Sequence, residues 1–493
     1  MKKALIVGTG LGGLTTAMRL STKGYQVEMV EKYHQAGGRL NQLKKDGFTW
    51  DLAPTFFSMS YEFDEFAKSC GIELPFQLFA LDPLYTINFS GSKKRYTIYK
   101  DLAKLAQEFY DVEPDFEKRM KSYLEKTGKL FHDTENRIIR KNFNNPVDFA
   151  FALASVPFHH APLMLKTMWN EMSKHFTSYE VKVIFSLVAF FLGATPFDTP
   201  AVYSMLTYTE LLHDGYHNVK GGMYKIVEGL LSELNKRNVT IYYNTEIVDF
   251  QSSNGKLEYL IDSQGKKWEA DLFVVNADAA FFRGKVLKRK DFTEEKLDRM
   301  KWTLAPFTLY LGVNGKIDGL KVHNYFLGQN FEEYSSKIFK NSISLEKPYY
   351  SVNVPSKANP EYAPKNGEAI FILCPVPDLR YKPNWDDSQT LVQNIIADLS
   401  ERIDFDIQNN MVSQTILTPL HWEKMFNLYR GSGLGLAHDL NQIGYFRPHN
   451  TDEKFKNLFY VGSSTIPGTG LPMAVISSRL TTEQIVKRYG SVQ

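Results

Sequence analysis

Apolar residues recur along this chain in two rhythms. Unbroken apolar runs at Lys3–Val7, 271–275 and 457–461 predict strands buried on both faces, the pattern of a parallel sheet. Leu14, Ala17, Met18 and Leu20 fall on one helical stripe, which predicts a helix over 11–23 stopped by Gly24, with a strand over 25–31 directly after it. Alternating residues at 84–89 and 95–99 around Ser90-Gly91-Ser92 predict a hairpin. A second hairpin is predicted at 257–261 and 268–270 around Ser263-Gln264-Gly265. Between 101 and 214 the pattern is mostly helical, with Phe109, Phe116, Met120, Tyr123, Leu124 and Leu130 at helical spacing. Further on, the pattern predicts a helix over 224–237 and a single strand over 240–250. Strands follow over 307–313 and 369–376, then a helix over 391–402 and a last helix over 474–487. Residues 348–364 read as a proline-containing connection, and there is no internal repeat or low-complexity segment.

Two stretches approach membrane character. Residues 149–165 carry no formal charge but contain Pro157, Pro162, His159 and His160, and the apolar run 183–197 is broken by Pro196, Asp198 and Pro200. Neither is long enough to span a bilayer, and both are expected either to dip into one leaflet or to pack as core helices. The opening Met1-Lys2-Lys3 and its short apolar run pass straight into glycines without a cleavage signal, so they read as a strand, not a leader.

The 493 residues are enough for two or three domains. The 58 basic and 55 acidic side chains leave a net +3, too little for a dedicated polyanion binder, so no nucleic-acid partner is expected. Two cysteines, Cys70 and Cys374, exclude a disulfide framework and a four-cysteine metal centre and fit a reducing cytoplasm. His132, His159, His160 and His175 show no metal-ligand spacing, and no metal is expected. No nucleophile–base triad and no Walker loop are found, and no catalytic residue is named.

The first predicted strand opens onto Gly8-Thr9-Gly10-Leu11-Gly12-Gly13. In this dinucleotide-binding pattern Gly8 makes the tight turn, Gly10 lets the backbone approach a pyrophosphate, and Gly13 allows close helix–strand packing. Leu11 and Gly12 begin the helix whose N–H groups face the phosphates. Glu31 lies 18 residues past Gly13, at the end of the second strand, where a carboxylate accepts from a ribose diol and repels a 2′-phosphate.

Three further segments resemble FAD enzymes of the amine-oxidase and phytoene-desaturase superfamily. Gly37-Gly38-Arg39 resembles the second glycine pair, whose following arginine lies near the pyrophosphate and flavin. Trp50-Asp51-Leu52-Ala53-Pro54-Thr55 resembles its Asp-x-Gly-Pro-Thr segment, with Ala53 for glycine. Gly462-Ser463-Ser464-Thr465-Ile466-Pro467-Gly468-Thr469-Gly470-Leu471-Pro472-Met473 resembles the carotenoid-desaturase signature near the flavin ring, with Ser463 for a smaller residue and Ile466 for histidine. The resemblance implies cofactor contacts from Gly38, Arg39, Pro54, Thr55, Gly462, Ser463, Gly470, Leu471, Pro472 and Met473. It also implies contacts from Asn276 and Ala277 at a strand end, and a backbone contact from Val248 to adenine.

The resemblance implies an α/β chain with a discontinuous Rossmann-like FAD-binding domain (1–80, 220–290, 425–493). A mixed-sheet substrate domain (81–100, 291–424) and a helical, membrane-contact region (101–219) complete it. The implied activity is FAD-dependent desaturation of a carotenoid, in which an allylic hydride passes to the flavin and the neighbouring carbon loses a proton. The 1-hydroxycarotenoid 3,4-desaturase branch, acting on a 1-hydroxycarotenoid or gamma-carotene-type substrate, is the expected one, and phytoene desaturase is the alternative. Oxygen or a quinone is the expected electron acceptor, and the inner face of the cell membrane the expected location. An amine or protoporphyrinogen oxidase, a carotenoid isomerase or saturase, and a prenyl-binding GDP-dissociation-inhibitor-like module are the other readings.

Overall fold

Burial on both faces gathers the short apolar runs into one sheet. In the computed structural model, which describes residues 2–143, 145–339 and 346–491, the strands Thr240–Tyr242, Gln26–Val30, Lys3–Val7, Leu272–Val275 and Leu458–Tyr460 lie side by side, all parallel. Residues 1, 144, 340–345 and 492–493, which fall within the expected ranges 1–80, 101–219, 291–424 and 425–493, lie outside the described residues. Leu5, Ile6, Phe273, Val274, Leu458 and Phe459 are sealed from solvent, as strands covered on both sides must be. The helices Leu11–Thr22, Lys225–Lys236 and Leu471–Tyr489 cover one face. The antiparallel sheet Ile247–Ser253, Lys256–Asp262, Lys267–Glu269 lies over the other.

Residues 240–250 form two strands instead of one. Asn244 takes a left-handed backbone (φ +52°), which ends the edge strand of the parallel sheet, and the chain re-enters at Ile247 in the antiparallel sheet.

A second sheet holds seven strands in the order Met411–Leu417, Ala305–Asn314, Gly367–Val376, Tyr350–Asn353, His323–Leu327, Tyr85–Phe89, Arg95–Ile98. All its pairs are antiparallel except His323–Leu327 against Tyr85–Phe89. Tyr350–Asn353, inside the expected connection 348–364, is an interior strand of this sheet. Helices from Leu102 to His213 pack an aromatic core of Tyr96, Phe109, Phe116, Phe176 and Phe185.

The two apolar stretches part company here. Val183, Ile184, Phe185, Val188 and Ala189 are core and Phe190, Phe191, Leu192 and Phe197 are half-buried, so no large apolar side chain of 183–197 is exposed to a leaflet. Phe151, Phe158 and Leu165 are 71%, 88% and 89% exposed on the helix Pro146–Ala154 and the turns that follow, with Phe446 beside them. Among the described residues no helix is long and apolar enough to cross a membrane.

Candidate active site

The carboxyl ends of the parallel strands open onto a cavity of about 1240 Å³. That exceeds the about 300–1,000 Å³ usual for one small ligand, so a cofactor and a second molecule fit together. Gly8, Gly10, Leu11 and Gly12 form part of its wall. Gly10 caps the helix Leu11–Thr22 without a side-chain hydrogen bond, which leaves the first amides to a ligand. Gly13 lies behind the wall: a Cβ there would sit 2.2 Å from the Gly8 carbonyl oxygen, which is why the helix comes so close to the strand. A second helix, Leu471–Tyr489, also begins at the cavity without a side-chain cap, and Gly470, Leu471, Pro472 and Met473 are on the wall.

Asn276 ties three distant segments together. Its Oδ1 accepts from the Gly13 N–H at 2.9 Å, its Nδ2 donates to the Val461 carbonyl at 3.0 Å, and its own N–H donates to Val7 at 2.8 Å. The glycine loop, the strand end at 276 and the signature loop therefore meet at one side chain, and Ala277 and Gly462 continue the wall beside it.

Glu31 is fixed before any ribose arrives. Its Oε2 accepts from the Thr9 N–H and hydroxyl, both at 2.7 Å, and its Oε1 accepts from the Tyr33 N–H at 2.9 Å. The remaining lone pairs border the cavity. Arg39, also on the wall, donates to the Gly433 carbonyl at 2.6 Å and the Ser463 hydroxyl at 2.5 Å, and burial pulls its pKa down. Pro54 and Thr55 line the cavity, and Ala53 has no left-handed backbone, so alanine replaces glycine there without strain.

Val248 is the exception among the expected contacts. Its side chain is 42% exposed and it is not on the wall; Thr245, Glu246 and Ile247 line it instead. After the turn at Asn244 the lining falls on the three residues just before Val248. The Thr245 N–H donates to the Glu31 carbonyl at 2.7 Å, which draws this backbone alongside the carboxylate.

Away from the glycine loops the wall becomes apolar. At one end Phe56 packs edge to face with Phe191, with Tyr216 and Tyr325 tilted against them, and Leu153, Phe158 and Met164 line the other end, next to the exposed aromatics. Glu210 is fully buried behind Tyr216. Burial pushes its pKa up to about 7, against the pull of the Tyr85 and Tyr216 hydroxyls. Glu210 carries no motif, and only the fold reveals its position. The fold also brings Asp133, His159 and His160 together, their ligating atoms within 4.8 Å, although Arg137 already pairs with Asp133.

This arrangement fits FAD: two uncapped helix starts, a fixed carboxylate for a ribose, and a glycine-lined floor. The family model for flavin-containing amine oxidoreductases matches residues 11–486. The chain is 31% identical to a zeta-carotene-forming phytoene desaturase of Myxococcus xanthus, over 98% of this chain and 94% of that one. It is 30% identical to a 4,4'-diapophytoene desaturase of Staphylococcus haemolyticus, over 98% of both. Its fold matches an oxidoreductase from Methanosarcina mazei with a TM-score of 0.67 at 16% identity, over 98% of this chain and 100% of that one. The chain belongs to the flavin-containing amine oxidoreductases, on their carotenoid-desaturase branch, and is an FAD-dependent oxidoreductase that acts on CH–CH bonds.

Proposed function

We propose that this protein introduces C=C bonds into an acyclic, phytoene-type polyene taken up from a lipid surface. The observation that carries this reading is the course of the cavity. It runs from the glycine loops along an apolar wall to residues 153–164, where the exposed Phe158 lines it and the exposed Phe151 and Leu165 flank that segment of the chain. A water-soluble amine needs no such path. The relatives' names, a phytoene and a diapophytoene desaturase, point the same way.

FAD, when bound, supplies the hydride-accepting ring. The chain's own residues bind, orient and exclude water. Gly8, Gly10, Leu11, Gly12, Gly38 and Arg39 hold the pyrophosphate, and Glu31 holds the ribose. The backbone at 245–247 holds the adenine. Asn276, Ala277, Pro54, Thr55 and the loops at Gly462, Ser463 and 470–473 hold the flavin. Residues 1–80, 220–290 and 425–493 then form the cofactor unit, 81–100 and 291–424 the substrate sheet, and 101–219 the lipid-facing cap. Phe56, Phe191 and Tyr325 grip the polyene by their faces. The developing cation is stabilised by conjugation, so the wall needs no strong base.

The exposed patch supports peripheral attachment to a membrane, which we place at its cytoplasmic face. Oxygen or a quinone dissolved in the same bilayer reaches the site through the same mouth. A hydroxylated substrate, such as a 1-hydroxycarotenoid, is the second reading, favoured by the hydroxyl cluster of Tyr85, Tyr216 and Tyr325 around Glu210 at the aromatic end. Expression in strains that supply either phytoene or a 1-hydroxycarotenoid, followed by pigment analysis, tests both. New conjugation in the phytoene strain is expected. Products from the hydroxylated carotenoid alone would select the second reading, and unchanged pigments in both would refute the function.

A further inference from the structure

Arg447 is 1% exposed, and all five of its N–H donors end on backbone carbonyl oxygens. Nε donates to Thr465 at 3.1 Å, Nη1 to Ala437 at 3.3 Å and Gln442 at 3.2 Å, and Nη2 to Leu436 at 3.2 Å and Ser463 at 2.6 Å. Among the described residues no carboxylate forms an ion pair with it. A buried cation without a counter-anion is costly even when carbonyl dipoles solvate it. This one lies directly behind the signature loop whose Gly462 and Ser463 face the cavity.

Ser463 receives a second guanidinium from the opposite side, Arg39 at its hydroxyl. Asp278, on the same wall, accepts from the N–H groups of Ala280 and Phe281 and from the Ser464 hydroxyl; its charge faces Arg39 and it forms no ion pair with Arg447. Arg39 and Asp278 offset each other on the wall, which leaves Arg447, behind the loop, as the charge with no carboxylate partner among the described residues; burial has not neutralised it, and its pKa falls only to about 10.

We propose that Arg447 is the fixed charge that raises the reduction potential of the bound FAD. The proposal rests on the reading of this loop as the flavin cradle. Accepting a hydride adds two electrons and one proton to the flavin, so its charge becomes one unit more negative. A buried cation behind the loop stabilises that reduced form more than the oxidised one, and the carbonyl cage holds it in place, so nothing must reorganise when the charge arrives. A C–H bond beside a polyene is a weak hydride donor, and it needs a strongly oxidising acceptor. Arg447 supplies that bias without touching substrate.

The experiment compares full-length wild type with Arg447→Met, Arg447→Gln and Arg447→Lys, each equilibrated with a redox dye of known potential. The reading is the ratio of reduced to oxidised FAD. In the two neutral variants the ratio is expected to fall about tenfold or more, equivalent to a potential lower by about 30 mV for a two-electron couple. The lysine variant is expected to stay near wild type. Loss of FAD from both neutral variants but not from the lysine variant would make Arg447 a charge needed for cofactor binding and would overturn the claim about the potential. Unchanged ratios in the neutral variants would overturn it, as would an equal shift in all three. Loss of FAD from all three would mark Arg447 as scaffold and also overturn it. A folded wild type without FAD would defeat the functional reading first, and this proposal with it.

Discussion

Asn276 offers the sharpest test of how the cofactor floor is assembled. Replacing it with alanine leaves the Gly13 N–H and the Val461 carbonyl without partners. Each net hydrogen bond lost from such a site costs about 1 kcal/mol, more where the group stays dry, so the two together cost roughly 2–4 kcal/mol. That energy holds the glycine loop against the signature loop, both on the wall of the FAD cavity. FAD affinity is therefore expected to fall about thirtyfold to several hundredfold, at about 1.4 kcal/mol per decade. Asn276→Asp is the informative companion. Its carboxylate still accepts from Gly13 but sets a second oxygen against the Val461 carbonyl, where the amide donates at 3.0 Å. It should be at least as damaging as alanine despite its matching shape. The assay is the flavin-to-protein absorbance ratio after desalting, with denaturant unfolding beside it. If the aspartate variant retains FAD as wild type does, the Val461 contact does not hold the floor and the reasoning is wrong.

Three other expectations are independent of that one. Glu31→Ala should weaken FAD binding by about tenfold to a hundredfold, since hydrogen bonds to a charged group contribute about 1.5–3 kcal/mol; a titration of apoprotein with FAD checks it, and unchanged affinity would remove Glu31 from the ribose site. Changing Phe151, Phe158 and Leu165 together to serine should cut vesicle binding by about a hundredfold to ten-thousandfold, each side chain contributing about 1–2 kcal/mol on insertion; flotation with liposomes measures it, and equal flotation would make the patch ordinary surface. Glu210 holds its proton in the folded chain up to about pH 7, whereas the unfolded chain releases it near 4.5. Stability should therefore decline as pH rises through that window, by about 3 kcal/mol in total, and Glu210→Gln should flatten the decline; denaturant melts from pH 4 to 8 would contradict this if both proteins share one slope.

Strand–loop–helix units are legible in the sequence because glycine placement and double-sided burial leave few alternatives. Residues 3–22 and 458–489 fold as their patterns predict. The missed features have local causes. The run 240–250 looks continuous in sequence, and only the left-handed Asn244 splits it; Thr245, Glu246 and Ile247, and not Val248, then line the cavity. Prolines around 348–364 hide the interior strand Tyr350–Asn353, whose place is set by its neighbours in the sheet. Residues 149–165 and 183–197 are both apolar stretches without a formal charge, and the packing of the helical region leaves side chains of the first exposed and makes the second mostly core. Arg447 and Glu210 belong to no motif, since their environments are assembled from segments far apart in the chain.

The most direct test is to mix the purified, FAD-loaded protein anaerobically with a phytoene-type polyene in liposomes and to follow the visible flavin band. Bleaching in step with the appearance of a longer chromophore is the expected result. A longer chromophore forming while the band stays unchanged, or a folded protein that carries no flavin band, would contradict the claim that this cavity passes hydride from a polyene to FAD.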